Sequence, residues 1–224
     1  MCGRFSQTAT PAAIAEQFAL SDPPLFTPRY NIAPSQSVTA IWADPETSVR
    51  QLVFLRWGLI PSWAKDAKIG AQCINAKAET VAEKPAFRSA FKKRRCLVVA
   101  TGFYEWQVQG KRKQPMWIGM KSKAPFALAG LWEHWQPAEG EPADTCTLIT
   151  TEPNELMKPI HTRMPVILSP SAYDAWLDPS YQQVDPLKAL LRSYPSEELM
   201  AYPISTLVNN PRNDAPQVLE AVSV

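Results

Sequence analysis

Twenty-two prolines set against eight glycines constrain this chain more than any other feature of its sequence. Proline fixes its own φ and brings no N–H to a helix or a sheet ladder, so the elements must be joined by many rigid, extended connections. The few glycines form no G-x-G-x-x-G or G-x-x-x-x-G-K-[ST] loop, which disfavours a nucleotide cofactor.

Between the prolines, strand and helix patterns mix. A helix is expected over PAAIAEQFAL (11–20), with Thr10 as N-cap and Pro11 at the first helical position. SVTAIWA (37–43) and QLVFLRWGL (51–59) read as strands, followed by a loop, IPSWAKDAKIGAQ (60–72). AETVAE (78–83) and PAFRSAFKKRR (85–95) read as helices. CLVVATGFYEWQV (96–108), QPMWIGM (114–120), FALAGLWEHW (126–135) and TCTLITT (145–151) read as strands, the first two around a QGKRK turn. EPNELMK (152–158), SAYDAWL (171–177) and DPLKALLRSY (185–194) look helical, and MAYPIS (200–205) is a late strand. There is no regular βαβ alternation, no repeat and no visible linker. The expectation is a single α+β domain over 1–224 with a mainly antiparallel, barrel-like core and flanking helices.

No run of about 18 apolar residues is present, so no membrane span is expected. No basic-then-apolar leader opens the chain, so a cytoplasmic location is expected, or a nuclear one in a eukaryotic source. The four cysteines form no C-x-x-C pair and only two histidines accompany them, so neither a zinc site nor a disulfide framework is expected. Cys96 and Cys146 lie in apolar runs and read as packing.

Charge is divided unevenly. Residues 1–123 hold 18 Lys+Arg against 8 Asp+Glu, a net +10, and residues 124–224 hold 5 against 13, a net −8. A basic face that meets a polyanion would explain this, and so would two halves that interleave in space. The run KPAFRSAFKKRR (84–95) carries six positive charges and reads either as a solvated helix face or as a phosphate contact.

Four stretches place polar groups where the pattern predicts burial: MCGRF, INAKAET (74–80), GFYEW (102–106) and IHTRMPVIL (160–168). If Met1 is removed, Cys2 presents an amine and a thiol on adjacent carbons, a 1,2-aminothiol that can attack as either nucleophile or condense with an aldehyde. Glu105 shares a strand face with Phe103, opposite Tyr104 and Trp106. A carboxylate among such rings should have a raised pKa, which suits a general acid or base, although an edge strand would turn it to water. His161, beside Arg163 in a loop, reads as a proton shuttle near an anion or as a solvated loop residue. Asn75 can cap a helix or orient a substrate. Arg4 and Lys77 are charges beside these groups. Pro34 and Trp63 lie in loops where exposed rings could stack on a base, or simply pack. His134, between tryptophans, reads as structural.

Taken in order, MCGRF, RYNIAPSQ (29–36), WGLIPSWAKD (57–66), INAKAET, GFYEW and IHTRMPVIL resemble the SRAP family, the SOS response-associated peptidases that process abasic sites. The resemblance covers nearly the whole chain. It implies one α+β domain with a positively charged DNA groove, removal of Met1 (autocatalytic), and covalent capture of an abasic site in single-stranded DNA by Cys2, with weak AP-lyase character. It implies no cofactor or metal, and a monomer. It puts Cys2, Asn75, Glu105 and His161 at active-site positions and Arg4, Pro34, Trp63, Lys77 and Arg163 at DNA-contacting ones. Lys77 departs from the arginine of some members and loses the bidentate fork to phosphate. Ala64 stands where some relatives have a second tryptophan. Two other classes remain open on the residues alone: an N-terminal-nucleophile amidohydrolase and a noncatalytic single-strand-binding module.

Overall fold

The computed structural model describes residues 2–21, 24–44 and 47–223. In chain order the elements are β1 (Phe5–Gln7), α1 (Pro11–Phe18), β2 (Arg29–Ile32), β3 (Ser37–Ala43), β4 (Arg50–Trp57), β5 (Asn75–Lys77), α2 (Arg88–Lys93) and β6 (Arg95–Ala100). They continue through β7 (Gly102–Gln109), β8 (Arg112–Met120), β9 (Phe126–Trp135), β10 (Ala143–Thr151), β11 (Met164–Pro165), β12 (Ile167–Leu168), α3 (Tyr173–Leu177), α4 (Val184–Ala189) and β13 (Leu199–Pro203). This is the α+β architecture expected.

Five strands close on themselves. β4 pairs with β3, β3 with β6, β6 with β9, β9 with β10, and β10 returns to β4. Of these five pairings the β10–β4 seam is the parallel one. Side chains alternate across each strand, so the two faces separate cleanly. Val38, Leu55, Cys96, Leu128 and Cys146 join one buried cluster that draws on all five strands, which makes it the barrel interior. The opposite face, with Ile41, Leu97, Ala129 and Ile149, is covered by Ile14 and Phe18 of α1, Phe91 of α2 and Trp176 of α3.

A second antiparallel sheet, in the order β13-β8-β7-β1-β2, covers the barrel. Phe5 of β1 and Phe103 of β7 are opposite each other in this sheet and both enter the barrel cluster. The N-terminal strand is therefore interior to a sheet, with β2 on one side and β7 on the other.

Several expectations are corrected. The 96–108 strand is two strands in two sheets, broken at Thr101, whose N–H donates to Ser6 O at 2.8 Å. AETVAE forms hydrogen-bonded turns, because Ala78 N–H is drawn to Thr150 O (2.9 Å) and Thr80 N–H to Lys77 O (3.1 Å). EPNELMK is likewise a turn, closed by the Asn154 side chain accepting from Met157 N–H at 3.0 Å. Of the 85–95 helix only Arg88–Lys93 is helical. Asn75 opens a strand instead of capping a helix.

Candidate active site

The site is assembled where β1 meets β7 and β5. Beyond β1 the pairing with β7 persists, as Tyr104 N–H donates to Arg4 O at 3.0 Å. Cys2 is wholly buried, and its thiol lies 3.8 Å from Arg4 O. Burial pushes that thiol well above its ordinary pKa, and the Glu105 carboxylate adds to the effect. The Asn75 side-chain amide donates to the Cys2 carbonyl at 2.9 Å, while its own Oδ1 is buried with no hydrogen-bond partner among the described residues. Asn75 is held there by parallel pairing of β5 with β10, opposite Leu148.

Glu105 is only 3% exposed. Burial raises its pKa, and the charge of His161 opposes the rise. His161 Nε2 stands 3.8 Å from Glu105 Oε2. The other ring nitrogen, Nδ1, has both kinds of partner within reach, the Arg163 N–H at 3.0 Å and the Arg163 carbonyl at 3.1 Å. A neutral ring that accepts from the N–H carries its proton on Nε2, toward Glu105. A protonated ring can instead donate to the carbonyl. The pair suits proton transfer in either direction. An open cavity of about 560 Å³ is lined by Glu105, His161, Trp106, Val108, Lys113 and Asn209.

The expected DNA contacts are placed less uniformly. Lys77 is exposed at the end of β5, and Trp63 is 60% exposed on the turn after Pro61. Pro34 lines a different cavity, of about 410 Å³, with Arg56, Trp57, Lys68 and Ile74. Trp57 there packs edge-on against Phe5 at 5.3 Å. Arg4 is turned inward: its Nη1 donates to Asn31 Oδ1 and to Val208 O, both at 2.7 Å. Arg163 is ion-paired with Glu79 at 2.5 Å. In the basic run, Arg94 pairs with Glu133 and buried Arg95 donates to the carbonyls of Trp176, Phe91 and Lys92. His134 is half exposed and hydrogen-bonded to Asp144 at 2.8 Å. Met1 lies outside the described residues.

Sequence reasoning missed Asn31 and Asn209. Asn31, fully buried, donates to the carbonyls of Val208, Asn210 and Asn213 and straps the 206–214 segment to β2. Asp214 completes the strap by accepting from the N–H groups of Tyr30 and Asn31. Asn209 accepts from Trp106 Nε1 at 2.8 Å and so shapes the cavity. The only signal for Asn31 was its place inside RYNIAPSQ; Asn209 had none. Among the described residues no group of three or more His, Cys, Asp or Glu could hold a metal, and no helix is long and apolar enough to cross a membrane.

A cysteine near the chain start, its carbonyl held by an asparagine amide, beside a buried glutamate that faces a half-buried histidine, defines a barrel protein whose groups are chemically suited to nucleophilic attack and proton transfer. The chain belongs to the SRAP family, described as SOS response associated peptidase, whose model matches residues 1–211. It is 48% identical over 225 aligned positions to the abasic site processing protein YoaM of Bacillus subtilis, covering 99% of this chain and 98% of that one. It is 32% identical to the abasic site processing protein HMCES of Xenopus tropicalis, covering 99% of this chain and 78% of that one. A crystal structure of a protein from Bacteroides thetaiotaomicron superposes with a TM-score of 0.89 at 28% identity, covering 99% of this chain and all of that one.

Proposed function

We propose that this protein processes abasic sites in DNA, capturing them covalently in single strands through Cys2 once Met1 has been removed. Hydrolysis of the Met1–Cys2 bond is the one peptidase step involved, and it frees the α-amine. The abasic sugar opens to an aldehyde. The Cys2 amine, with a reference pKa of about 8, has a usable neutral fraction at neutral pH and adds to the carbonyl carbon, whose oxygen leaves as water to give an imine. The Cys2 sulfur then adds to the imine carbon, its proton passes to the ring nitrogen, and a thiazolidine closes. One water is lost in total. Glu105 and His161 move the protons of ring opening and imine formation. Asn75 holds the Cys2 main chain in place. Lys77, Trp63 and Pro34 meet the DNA strand.

The observation that carries this reading is buried Glu105 standing 3.8 Å from His161, beside Cys2, whose carbonyl is fixed by Asn75. Family membership and relatives named for abasic site processing support the substrate.

The test is a denaturing gel after incubation with single-stranded oligonucleotides, with and without an abasic site. A heat-stable band of protein plus DNA is expected only with the abasic strand, and its mass should be protein without Met1 plus DNA minus one water. Cys2→Ala should abolish the band, and Cys2→Ser should leave at most an imine that borohydride traps. A stable band from Cys2→Ala, or none from the natural protein, would end the proposal. An amidohydrolase would show instead as turnover of small amides without any DNA adduct.

A further inference from the structure

The QGKRK turn (109–113) has no part in the chemistry of Cys2, yet one of its cations faces the candidate site. Gln109 pairs with Arg112 across a two-residue turn in which Gly110 takes a φ of +60°. That turn fixes the register of β7 against β8, and a slip of one residue would send every side chain to the other face. In this register Val108 is opposite Lys113 and Trp106 is opposite Pro115, so these four share one face of the hairpin. Gln109 and Arg112 share the other. Lys113 accordingly lines the cavity with Trp106 and Val108, and Lys111 and Arg112 do not.

The cavity collects side chains from both faces of β7 because β7 outruns its neighbour. β1 accompanies it only as far as the bond from Tyr104 N–H to Arg4 O. Beyond that bond β7 has no strand partner on that side among the described residues. Glu105 from one face, Trp106 and Val108 from the other, and His161 from its loop therefore border one opening.

Among the described residues that line this opening, only Lys113 carries an ammonium or a guanidinium. Its side chain is exposed and has no ion-pair or hydrogen-bond partner among the described residues. Its hydrocarbon stem can lie along Val108, itself 68% exposed, and leave the charge at the mouth. A strand whose abasic sugar reaches Glu105 and His161 has to carry a phosphate on each side of that sugar across the same mouth. The ammonium meets that charge with no internal ion pair to give up.

We infer that Lys113 binds a backbone phosphate next to the abasic sugar of the captured strand. The inference rests on the proposed function, and it gives the β7–β8 hairpin a place in the DNA contact. A lysine in this role adds to binding and not to the chemical step. A hairpin lysine that merely solvates the surface would add to neither.

The test uses a single-stranded oligonucleotide with one tetrahydrofuran residue, which keeps the phosphates of an abasic site and lacks the aldehyde, so binding is read apart from capture. Lys113→Gln should weaken binding about fivefold at low salt and lower the log–log salt slope by about 0.7, equally for strands of different sequence. Lys113→Arg should keep both at the natural values. Lys111→Gln, on the same hairpin, should change the affinity by less than about twofold. Methylphosphonate links, which remove one backbone charge at a time, then locate the contact. At one of the two phosphates flanking the tetrahydrofuran the effect of Lys113→Gln should vanish. The rate of heat-stable capture at saturating abasic strand should stay within about twofold of the natural protein's. The inference is overturned by a Lys113→Gln effect no larger than that of Lys111→Gln, or by one that survives every methylphosphonate. A slower capture rate at unchanged affinity overturns it too, as does a natural protein that does not bind the tetrahydrofuran strand. If the natural protein binds that strand but forms no heat-stable adduct with an abasic one, the proposed function fails, and the binding data still decide the role of Lys113.

Discussion

Glu105 is a carboxylate held where carboxylates are rarely found, 3% exposed among aromatic rings. Its raised pKa means that the folded protein holds this proton more tightly than the unfolded chain does. Stability contributed by the protonated form is therefore present at acid pH and is lost as pH rises from the ordinary carboxylate value of about 4.3 through the raised one. Glu105→Gln keeps the shape and removes the buried charge. It should melt higher than the natural protein at neutral pH, by about 2–4 °C for each kcal/mol recovered, with the gap closing near pH 4. Thermal unfolding at the two pH values checks this, and an equal gap at both would refute it. The burial of Glu105 was legible in the sequence because a lone acid among Phe103, Tyr104 and Trp106 reaches water only from an edge strand, and β7 lies between β8 and β1. Arg4 and Arg163 were not legible in the same way. Their charges are engaged inside the protein, by Asn31 and Val208 in one case and Glu79 in the other. No local pattern distinguishes an arginine that waits for phosphate from one already held by partners 27, 204 or 84 residues away.

Most strands could be read from alternation, and the helices less well. AETVAE and EPNELMK have helical composition but are shorter than a self-sustaining helix, so single contacts, Thr150 O for one and the Asn154 side chain for the other, decide their form. The break at Thr101 was hidden because apolar residues continue across it while the chain changes sheets. At the start of β7 a close approach demands glycine. Gly102 pairs with Gly119 of β8, and the Trp117 indole lies across both. A Cβ on either glycine would sit 2.2 Å from that ring. The indole cannot swing aside cheaply, since its Nε1 donates to Ser6 Oγ at 3.2 Å and its ring packs 5.0 Å from Tyr202. Gly102→Ala and Gly119→Ala should each destabilise by about 1–3 kcal/mol, measured by urea unfolding, with little change in m.

Across the whole molecule the basic and acidic halves interleave. β10, from the acidic half, pairs with β4 and β5 from the basic half at the heart of the barrel. The halves of the sequence are therefore not separate halves of the molecule, and the basic helix α2 lies against the outer surface of the barrel wall while Cys2 belongs to the inner cluster. This separates two kinds of lysine. Noncovalent binding to an intact single strand should weaken with salt, with a log–log slope of about −0.7 per phosphate contacted. Lys77→Gln should reduce that slope by about one contact's worth, whereas Lys92→Gln on α2 should leave it unchanged. Binding titrations at several salt concentrations measure both, and an effect at Lys92 equal to that at Lys77 would place the groove elsewhere.

The strap around Arg4 also sets an order of assembly. The Val208 carbonyl that Arg4 holds lies 204 residues further along the chain, and β7, the partner of β1, lies between them. β1 can pair with β7 before the 206–214 segment exists, but Arg4 and Asn31 cannot be closed over until that segment joins them. The surroundings of Cys2 are thus completed in two stages, sheet first and strap second.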